Sequence, residues 1–348
     1  MSAIQRDGNS ILRILITAML LAPSVGMPQD RAHASFQNGT FKWELAAPVF
    51  VPTERPDDPC HAVKDPTILR FEDRWHLFCT IRSQKRTHQI EYASFKDWAD
   101  ANTAQRHVLT VSTGYFCAPQ VFYFRPHSKW YLLYQANEPS RKPSLQPVFS
   151  TSTNIANPSS WSSPVLLFKK HPDNVKMWID FWIICDDGRA HLFFTSLDGK
   201  MWRAETKLAD FPFGWNDPVV VLEDDIFEAS HTYRVKGLNK FLTIVEAQAD
   251  GRRYYKAYIA ERLDGKWQAL SGTRERPFAS SVNVRHLSNR WTDSYSHGEL
   301  LRAGHDERLE VEPQNLTFLF QGVSDQQKAG KAYGAIPWQL GLLRASQP

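Results

Sequence analysis

The sequence predicts an all-β chain arranged as a five-bladed β-propeller. After residue 34, short runs rich in Val, Ile, Phe, Tyr and Trp alternate with turn-rich breaks, and no segment keeps a helical period. A basic residue leading into an apolar strand recurs at residues 74–78, 129–133, 189–193 and 240–244. These intervals of roughly 50 to 60 residues are typical of propeller blades. A β-sandwich is the alternative, but the long and regular repeat favours the propeller.

The first 34 residues have the features of a secretory signal peptide. Arg6 and Arg13 precede an apolar run over residues 14–22, and Ala32-His33-Ala34 is a small-x-small cleavage pattern. The run is far shorter than the roughly 20 residues that a membrane span needs. We therefore expect residues 1–34 to be removed on export, with residues 23–26 as a second candidate cleavage region. Residues 35–348 then form one secreted propeller domain that has no membrane attachment.

Composition excludes few function classes. The net charge is only +4 and the basic residues are scattered, so the sequence gives no support to a nucleic-acid surface or an acidic partner. We expect a monomer. Four widely spaced cysteines, Cys60, Cys79, Cys117 and Cys185, form no CxxC pair and suggest no zinc or redox site. One or two disulfides and buried free thiols both stay open.

Each repeat unit has three recognisable strands in the same order. A first strand begins near a polar residue, the repeated basic pattern opens the second, and residues 90–94, 148–151 and 200–204 are third strands. A fifth unit runs through residues 296–302, 316–320 and 340–343. We expect residues 41–43 to complete this last blade and close the ring, because closure protects the sheet edges.

Polar residues open the first strands of the units. Asp180 lies in an apolar run between Trp178 and Phe181, where an ionised carboxylate is costly unless it is paired or functional. First strands line the propeller axis, so residues at their heads converge at one end of the channel. The residues at these positions are Asp65, Gln120, Asp180, Glu228 and His297.

Each of these residues has a structural alternative when it is taken alone. Asp65-Pro66 is a common start of a turn, and Asp180 could cap a turn. Glu228 could face solvent, and His297 could be a core histidine. Their combination favours a site, because the hydrolysis of a glycosidic bond needs one ionised and one protonated carboxyl group. A third carboxylate raises the pKa of the acid by repulsion, and aromatic residues such as Trp178 and Phe181 suit a sugar ring.

Seven motifs in a fixed order carry a family resemblance. They are Lys64-Asp65-Pro66-Thr67, Gly114-Tyr115 with Ala118-Pro119-Gln120, Trp178-Ile179-Asp180-Phe181-Trp182, Phe227-Glu228-Ala229-Ser230, Asp250-Gly251-Arg252-Arg253-Tyr254, Ser296-His297-Gly298-Glu299 and Leu340-Gly341-Leu342-Leu343. In this order, from about residue 41 to about residue 344, the sequence resembles glycoside hydrolase family 62. Members of that family are α-L-arabinofuranosidases that remove arabinofuranosyl side chains from arabinoxylan.

The resemblance implies a five-bladed propeller, an inverting mechanism and a role for each site residue. Asp65 matches the general base, Glu228 the general acid, and Asp180 the residue that tunes the acid. Lys64 matches a lysine that contacts arabinose, and Tyr333 a tyrosine that contacts the xylan chain. His297 matches a histidine that holds a calcium ion in the channel, mostly through waters. The candidate substrate-binding residues are Lys64, Gln120, Trp178, Phe181, Arg253 and Tyr333.

Departures from the family pattern lie around the mouth of the channel. Phe116-Cys117 stands where an arginine and an alanine are common, residues 136–146 form a longer segment, and Gly334 replaces an asparagine. These changes put the polymer specificity in doubt, since mouth loops decide which chain fits across a pocket. The remaining alternatives are an arabinanase or β-xylosidase of the related family 43 and a non-catalytic polysaccharide-binding propeller. A purely structural propeller has no need of three inward acids.

Overall fold

The computed structural model describes residues 34–346. The expected signal segment, residues 1–34, therefore lies outside the described part except for Ala34. Five separate sheets of four or five strands surround a central channel. The predicted five-bladed β-propeller is confirmed. Within the described residues, no helix is long and apolar enough to cross a membrane.

The strands follow one another around the ring, numbered along the chain. The first strand, β1 (Trp43–Leu45), belongs to the last blade. The first blade contains β2 (Cys60–Phe71), β3 (Arg74–Ser83), β4 (Gln89–Phe95) and β5 (Arg106–Val108). The second contains β6 (Phe116–Phe124), β7 (Lys129–Asn137), β8 (Leu145–Ser152) and β9 (Val165–Leu166). The third contains β10 (Ile179–Cys185), β11 (Arg189–Thr195), β12 (Lys200–Lys207) and β13 (Val219–Glu223).

The last two blades each include an additional parallel strand. The fourth contains β14 (Glu228–Val235), β15 (Lys240–Ala249), β16 (Arg252–Ala260), β17 (Gln268–Ser271) and the later β20 (Glu310–Val311). The fifth contains β18 (Val284–His286), β19 (Ser294–Leu300), β21 (Thr317–Val323) and β22 (Gln339–Ala345), with β1 between β18 and β22. Helical turns occupy Trp98–Thr103, Arg125–His127, Asp325–Lys328 and Tyr333–Ala335, and residues 34–38 are also helical.

The N-terminal strand closes the ring as expected. Trp43 lies opposite Ala345 and Leu45 opposite Leu343, so the first described strand and the last are antiparallel neighbours. Large aromatic side chains fill the spaces between blades, and all four cysteines are buried free thiols. Of the two open interpretations of the cysteines, the structure therefore contains the free thiols.

The first strand of every blade is broken by a β-bulge. The register against the second strand shifts between Lys64 and Thr67, Cys117 and Gln120, Ile179 and Trp182, Glu228 and His231, and Ser296 and Gly298. In four blades a non-glycine residue in the bulge has a positive φ: Asp65 (46°), Ala118 (51°), Asp180 (56°) and Ala229 (53°). Such conformations cost about 1 to 3 kcal/mol each and persist only where neighbours hold them. The predicted site residues therefore lie mostly at bulges inside the strands and not before them.

Below the bulges, a closed ring of side-chain to main-chain hydrogen bonds joins the blades; we call it the inner ring. Every first strand supplies one member. Thr67 Oγ1 accepts from Val121 N (3.2 Å), Gln120 Oε1 from Ile183 N (2.7 Å) and Glu299 Oε2 from Ile68 N (3.1 Å). Trp182 Nε1 donates to Thr232 O (2.9 Å), and His231 Nδ1 donates to Gly298 O (2.7 Å). Each blade is thus tied to the next through the channel wall.

A buried ion pair reinforces the inner ring where the fifth blade meets the first two. Arg302 Nε lies 2.6 Å from Glu299 Oε1, and both side chains are fully buried. The guanidinium also donates to Val121 O and Ile68 O, each at 3.0 Å. Arg302 therefore satisfies main-chain oxygens of two other blades and supplies the counter-charge of a buried carboxylate.

Removal of this arginine should destabilise the propeller strongly. In Arg302→Met, Glu299 stays buried without its counter-charge, and the expected loss of unfolding free energy is about 3 to 5 kcal/mol. Arg285→Met is the control, because Arg285 pairs with Glu44 at the surface and such pairs contribute about 0 to 1 kcal/mol. Urea unfolding followed by tryptophan fluorescence measures both variants. Equal, small losses in the two would contradict the role given to Arg302.

Candidate active site

Four of the residues predicted to converge do meet at one end of the channel. His297 Nδ1 lies 3.6 Å from Asp65 Oδ1 and 3.8 Å from Asp180 Oδ2. Asp180 Oδ2 accepts a hydrogen bond from the main chain of Ala229, the residue after Glu228. All three carboxylates and the imidazole are less than one tenth exposed. Residues from four blades thus form one buried polar cluster.

The bulges themselves are held by a second closed ring of hydrogen bonds, which we call the bulge ring. Each bulge residue donates its main-chain N–H to a side chain of the preceding blade. The bonds run from Asp65 to Gln321 (2.8 Å), Ala118 to Thr80 (2.9 Å), Asp180 to Gln135 (3.2 Å), Ala229 to Asp180 (3.1 Å) and His297 to Glu246 (2.6 Å). The ring fixes the positive-φ residues at the level of the site.

Asp180 occupies an exceptional place in the bulge ring. The other four acceptors each stand on the second strand of a blade, directly opposite the first-strand residue that precedes the bulge of that blade. They are Thr80, Gln135, Glu246 and Gln321. In the third blade this position is Thr195, whose hydroxyl has no hydrogen-bond partner among the described residues. The carboxylate of Asp180 accepts the hydrogen bond from Ala229 N in place of Thr195. This bond orients the carboxylate toward the fourth blade and Glu228.

The surroundings of Asp65 favour its ionised form. Burial alone would raise its pKa, but Lys64, His297 and a hydrogen bond from Thr80 together bring the pKa below the ordinary value. Lys64 Nζ lies 3.8 Å from Asp65 Oδ1. Burial opposes the charge on Lys64 too, yet Asp65 and the other neighbouring acidic groups raise the pKa of the lysine. The two side chains are therefore held as an ion pair.

The surroundings of Glu228 favour its protonated form. Burial, followed by the nearby charges of Glu246 and Asp180, raises its pKa well above the ordinary value, and Arg253 only partly opposes this. Burial also raises the pKa of Asp180 to about 6, with Asp65 and Glu246 adding to the increase and His297 opposing it. One end of the channel thus holds both a carboxylate and a carboxylic acid.

A fourth carboxylate, Glu246, was missed by the sequence analysis. It is fully buried and accepts hydrogen bonds from His297 N (2.6 Å), Ser296 Oγ (3.0 Å) and Arg253 Nη1 (3.0 Å). The signal was present, since Glu246 is the only acid in the apolar run 241–247. The same kind of signal singled out Asp180, but it was sought only in first strands.

Three of the predicted substrate-binding residues, Lys64, Arg253 and Tyr333, lie close to the carboxylate cluster. Arg253 Nη1 lies 3.7 Å from Glu228 Oε1, so it contacts the site, whereas Arg252 pairs with Asp325 at the surface. The hydroxyl of Tyr333, a residue about half exposed at the mouth, accepts a hydrogen bond from Lys64 Nζ at 3.3 Å. Lys64 and Arg253 therefore lie beside carboxyl groups of the cluster, and Tyr333 is joined to the cluster through Lys64.

Three predicted substrate-binding residues are not at the pocket surface. Gln120 is fully buried, and its amide bonds both N and O of Ile183 at 2.7 Å in the inner ring. The equivalent of Asp65 in the second blade is Ala118, because the bulge places Gln120 two residues further along. Trp178 is fully buried, donates to Leu145 O (2.7 Å) and packs on Phe181, which is 2% exposed. Both aromatic residues belong to the core beneath the site.

His297 does not stand in a ready-made calcium cage. Among the described residues there is no group of three or more His, Cys, Asp or Glu side chains that could hold a metal ion. Calcium prefers six to eight oxygen ligands. These side chains do not fit a directly ligated calcium ion, so only an ion held mainly by water would suit the histidine.

The cluster has the parts needed for general acid and base chemistry. Asp65 can take a proton from water, and Glu228 can give one to a leaving oxygen. Burial, together with repulsion from Glu246 and Asp180, raises the pKa of Glu228 and keeps it protonated, while Lys64 and Arg253 balance the negative charge. Such a pair of carboxyl groups in opposite protonation states is what the hydrolysis of a glycosidic bond requires.

Comparisons with known proteins point to one family. The model of glycosyl hydrolase family 62 matches residues 52–344. Alpha-L-arabinofuranosidase C from Cellvibrio japonicus is 38% identical over 291 residues, which are 81% of this chain and 44% of that protein. The chain therefore spans less than half the length of this curated relative.

Solved structures agree in both fold and sequence. The catalytic domain of a family 62 α-L-arabinofuranosidase from Coprinopsis cinerea has a TM-score of 0.82 and 35% identity, covering 88% of this chain and 98% of that chain. A family 62 hydrolase solved with xylotriose has the same TM-score of 0.82 and 33% identity, covering 90% of this chain and 99% of that chain.

Replacement of Glu246 should lower the pKa of Glu228. In Glu246→Gln a neighbouring negative charge is lost, so Glu228 ionises more easily, while the glutamine still accepts from His297 N. Titration of the carboxyl carbons by ¹³C NMR measures the change. Glu307→Gln is the control, because Glu307 is buried at the other end of β10, where its main-chain oxygen accepts from Cys185 N. An unchanged or increased pKa of Glu228 in Glu246→Gln would contradict the role given to Glu246.

Proposed function

This chain belongs to glycosyl hydrolase family 62, and we propose that it is an inverting α-L-arabinofuranosidase that releases arabinofuranosyl side chains from arabinoxylan. The observation that carries the proposal is that Asp65 and Glu228 are both buried at one end of the channel. They stand on two non-adjacent blades of a closed ring, and their surroundings favour opposite protonation states.

The proposed roles follow from these surroundings. Asp65, ionised beside Lys64, accepts a proton from the attacking water. Glu228, kept protonated, donates its proton to the oxygen that leaves with the xylan chain. Asp180 positions the acid, because its carboxylate is bonded to Ala229 N, next to Glu228. Asp180 is thus a positioning residue in this scheme, and Lys64 and Arg253 neutralise charge around the sugar.

Two observations support a xylan-type polymer as the substrate. A family 62 relative of the same fold was solved with xylotriose. In this chain Tyr333 stands at the pocket mouth with its ring about half exposed, and its hydroxyl contacts Lys64. The ring can therefore contact the xylan chain, while Lys64 contacts the arabinose. The family 43 alternative is not favoured, since the model that matches this chain is that of family 62. A purely binding propeller would not need carboxyl groups tuned in opposite directions.

We also propose a calcium ion beside His297 and export of the chain. Two carboxylates within 4 Å of His297 Nδ1 make this part of the channel attractive to a cation, which would be held mainly through water and would neutralise charge there. Export rests on the signal features of residues 1–34, and mass spectrometry of the secreted protein should find Ser35 as its first residue.

The carboxyl groups can be tested by isosteric replacement. Asp65→Asn and Glu228→Gln should each lower kcat on wheat arabinoxylan by at least about 100-fold, because each keeps its shape and loses its proton chemistry. Circular dichroism checks the fold. Proton NMR of the first wild-type product should show the β anomer of arabinose, as inversion requires. A variant with near-normal kcat, or an α anomer as first product, would contradict the mechanism.

Removal of calcium should destabilise the protein through His297. A ligand present at 100 times its Kd contributes about 2.7 kcal/mol to the free energy of unfolding, so a chelator should lower Tm and added calcium should restore it. His297→Ala should respond to neither. The control His127→Ala changes a histidine in the turn Arg125–His127 and should respond like the wild type. A wild-type Tm that is insensitive to the chelator would rule out the proposed ion.

A further inference from the structure

Arg82 is a second arginine at the mouth of the pocket. It stands on the first blade, whereas Arg253 stands on the fourth. Arg82 lies on β3 two residues after Thr80, so both side chains are on the same face of the strand. Thr80 belongs to the bulge ring, and Arg82 therefore lies one step further toward the mouth.

The guanidinium of Arg82 packs directly against Gly334. A Cβ atom at Gly334 would lie 2.5 Å from Nη1 and 3.0 Å from Cζ of Arg82. No side chain fits there unless the arginine moves. Gly334 follows Tyr333, whose hydroxyl is 3.3 Å from Lys64 Nζ. Through this contact Arg82 is a direct neighbour of the residues that line the pocket.

Arg82 has no counter-charge within the described part of the chain. Its Nε is buried and donates to no protein atom, and the guanidinium forms no ion pair. Two other arginines near the first blade are paired, Arg86 with Asp58 and Arg55 with Glu91. A buried donor without an acceptor destabilises the folded protein, and the cost is larger for a charged group. The two Nη groups of Arg82 also donate to no described protein atom and, unlike Nε, are not buried. The site thus offers a positive charge and accessible N–H donors to a ligand.

The groups around Arg82 leave this charge uncompensated. His61 bonds the main-chain oxygen of Gly334 at 3.0 Å. Burial, with Lys64 adding to the effect, lowers the pKa of His88 to about 4, so this imidazole is neutral near pH 7. Lys64 is already paired with Asp65. The local excess of charge at this part of the mouth is therefore positive, although the chain as a whole is only +4.

We propose that Arg82 binds a carboxylate carried by the polysaccharide, so that the protein prefers arabinose side chains close to a uronic acid substituent. A guanidinium binds a carboxylate through two parallel N–H···O bonds, which are about twice as strong as hydrogen bonds to neutral groups. Sugar hydroxyls alone would leave the charge of Arg82 unbalanced. This inference rests on the proposed function and adds a substrate class to it.

The test compares two polymers that differ only in charge. They are glucuronoarabinoxylan and the same polymer after reduction of its carboxyl groups to hydroxymethyl groups. The wild type should have a kcat/KM for arabinose release about tenfold higher on the acidic polymer, the gain expected from a charged hydrogen bond. The preference should shrink as salt is added.

Variants assign the preference to Arg82. In Arg82→Gln the ratio of the two kcat/KM values should fall to about one. Gly334→Asn, which displaces the guanidinium without removing it, should give the same fall. Lys85→Gln is the control, because it removes the same charge from an exposed residue of the same hairpin and should keep the wild-type ratio. A wild-type ratio near one, or an unchanged ratio in Arg82→Gln, would overturn the proposal.

The proposed function and the role of Arg82 can fail separately. Arabinose release from the reduced polymer with a ratio near one supports the proposed function and rejects the role of Arg82. If no arabinose is released from either polymer, the proposed function fails, and affinity electrophoresis decides the role of Arg82. Stronger retardation of the wild type than of Arg82→Gln by the acidic polymer alone would still support the carboxylate site, and equal retardation would reject it.

Discussion

The structure depends on one constraint: the main-chain N–H that each bulge frees from its ladder must find an acceptor in the neighbouring blade. A buried N–H without an acceptor is costly, and four of the five bulge residues also have an unfavourable positive φ. The bulge ring meets this demand with Thr80, Gln135, Asp180, Glu246 and Gln321. The propeller can therefore close only when every blade presents the right side chain to the next.

The same constraint brings the chemistry together. Two of the five acceptors in the bulge ring are carboxylates, so the bonds that close the ring also bring negative charge close to Glu228. That charge and burial keep Glu228 protonated, while Lys64 keeps Asp65 ionised. Asp180 and Glu246 thus stabilise the fold and shape the acidity of the site through the same atoms. Separate structural and functional contributions cannot be assigned to them.

Sequence patterns predicted what is local and repeated. The strand spacing gave the five blades, the apolar setting of Asp180 marked the site, and residues 41–43 could be placed in the last blade. What failed was register: Gln120 was assigned to the level of Asp65, but the bulge places Ala118 there. Trp178 and Phe181 were taken as sugar contacts because an aromatic residue looks the same in a core and in a pocket. Glu246 carried the same signal as Asp180, but that signal was considered only in first strands. The contact of Arg82 with Gly334 joins segments far apart in the chain, which a single sequence does not reveal.

The pairing of β1 with β22 also has a consequence for the order of folding. Trp43 lies opposite Ala345, so the last blade joins the two ends of the described chain. This contact spans almost the whole described sequence, and contacts of such large sequence separation form slowly. During synthesis the first blade lacks its neighbour on one side, and the segment around Trp43 lacks its antiparallel partner until the final strand is made. Loss of only the last few residues would therefore leave an early segment without its partner and expose two strand edges, where chains can associate with one another.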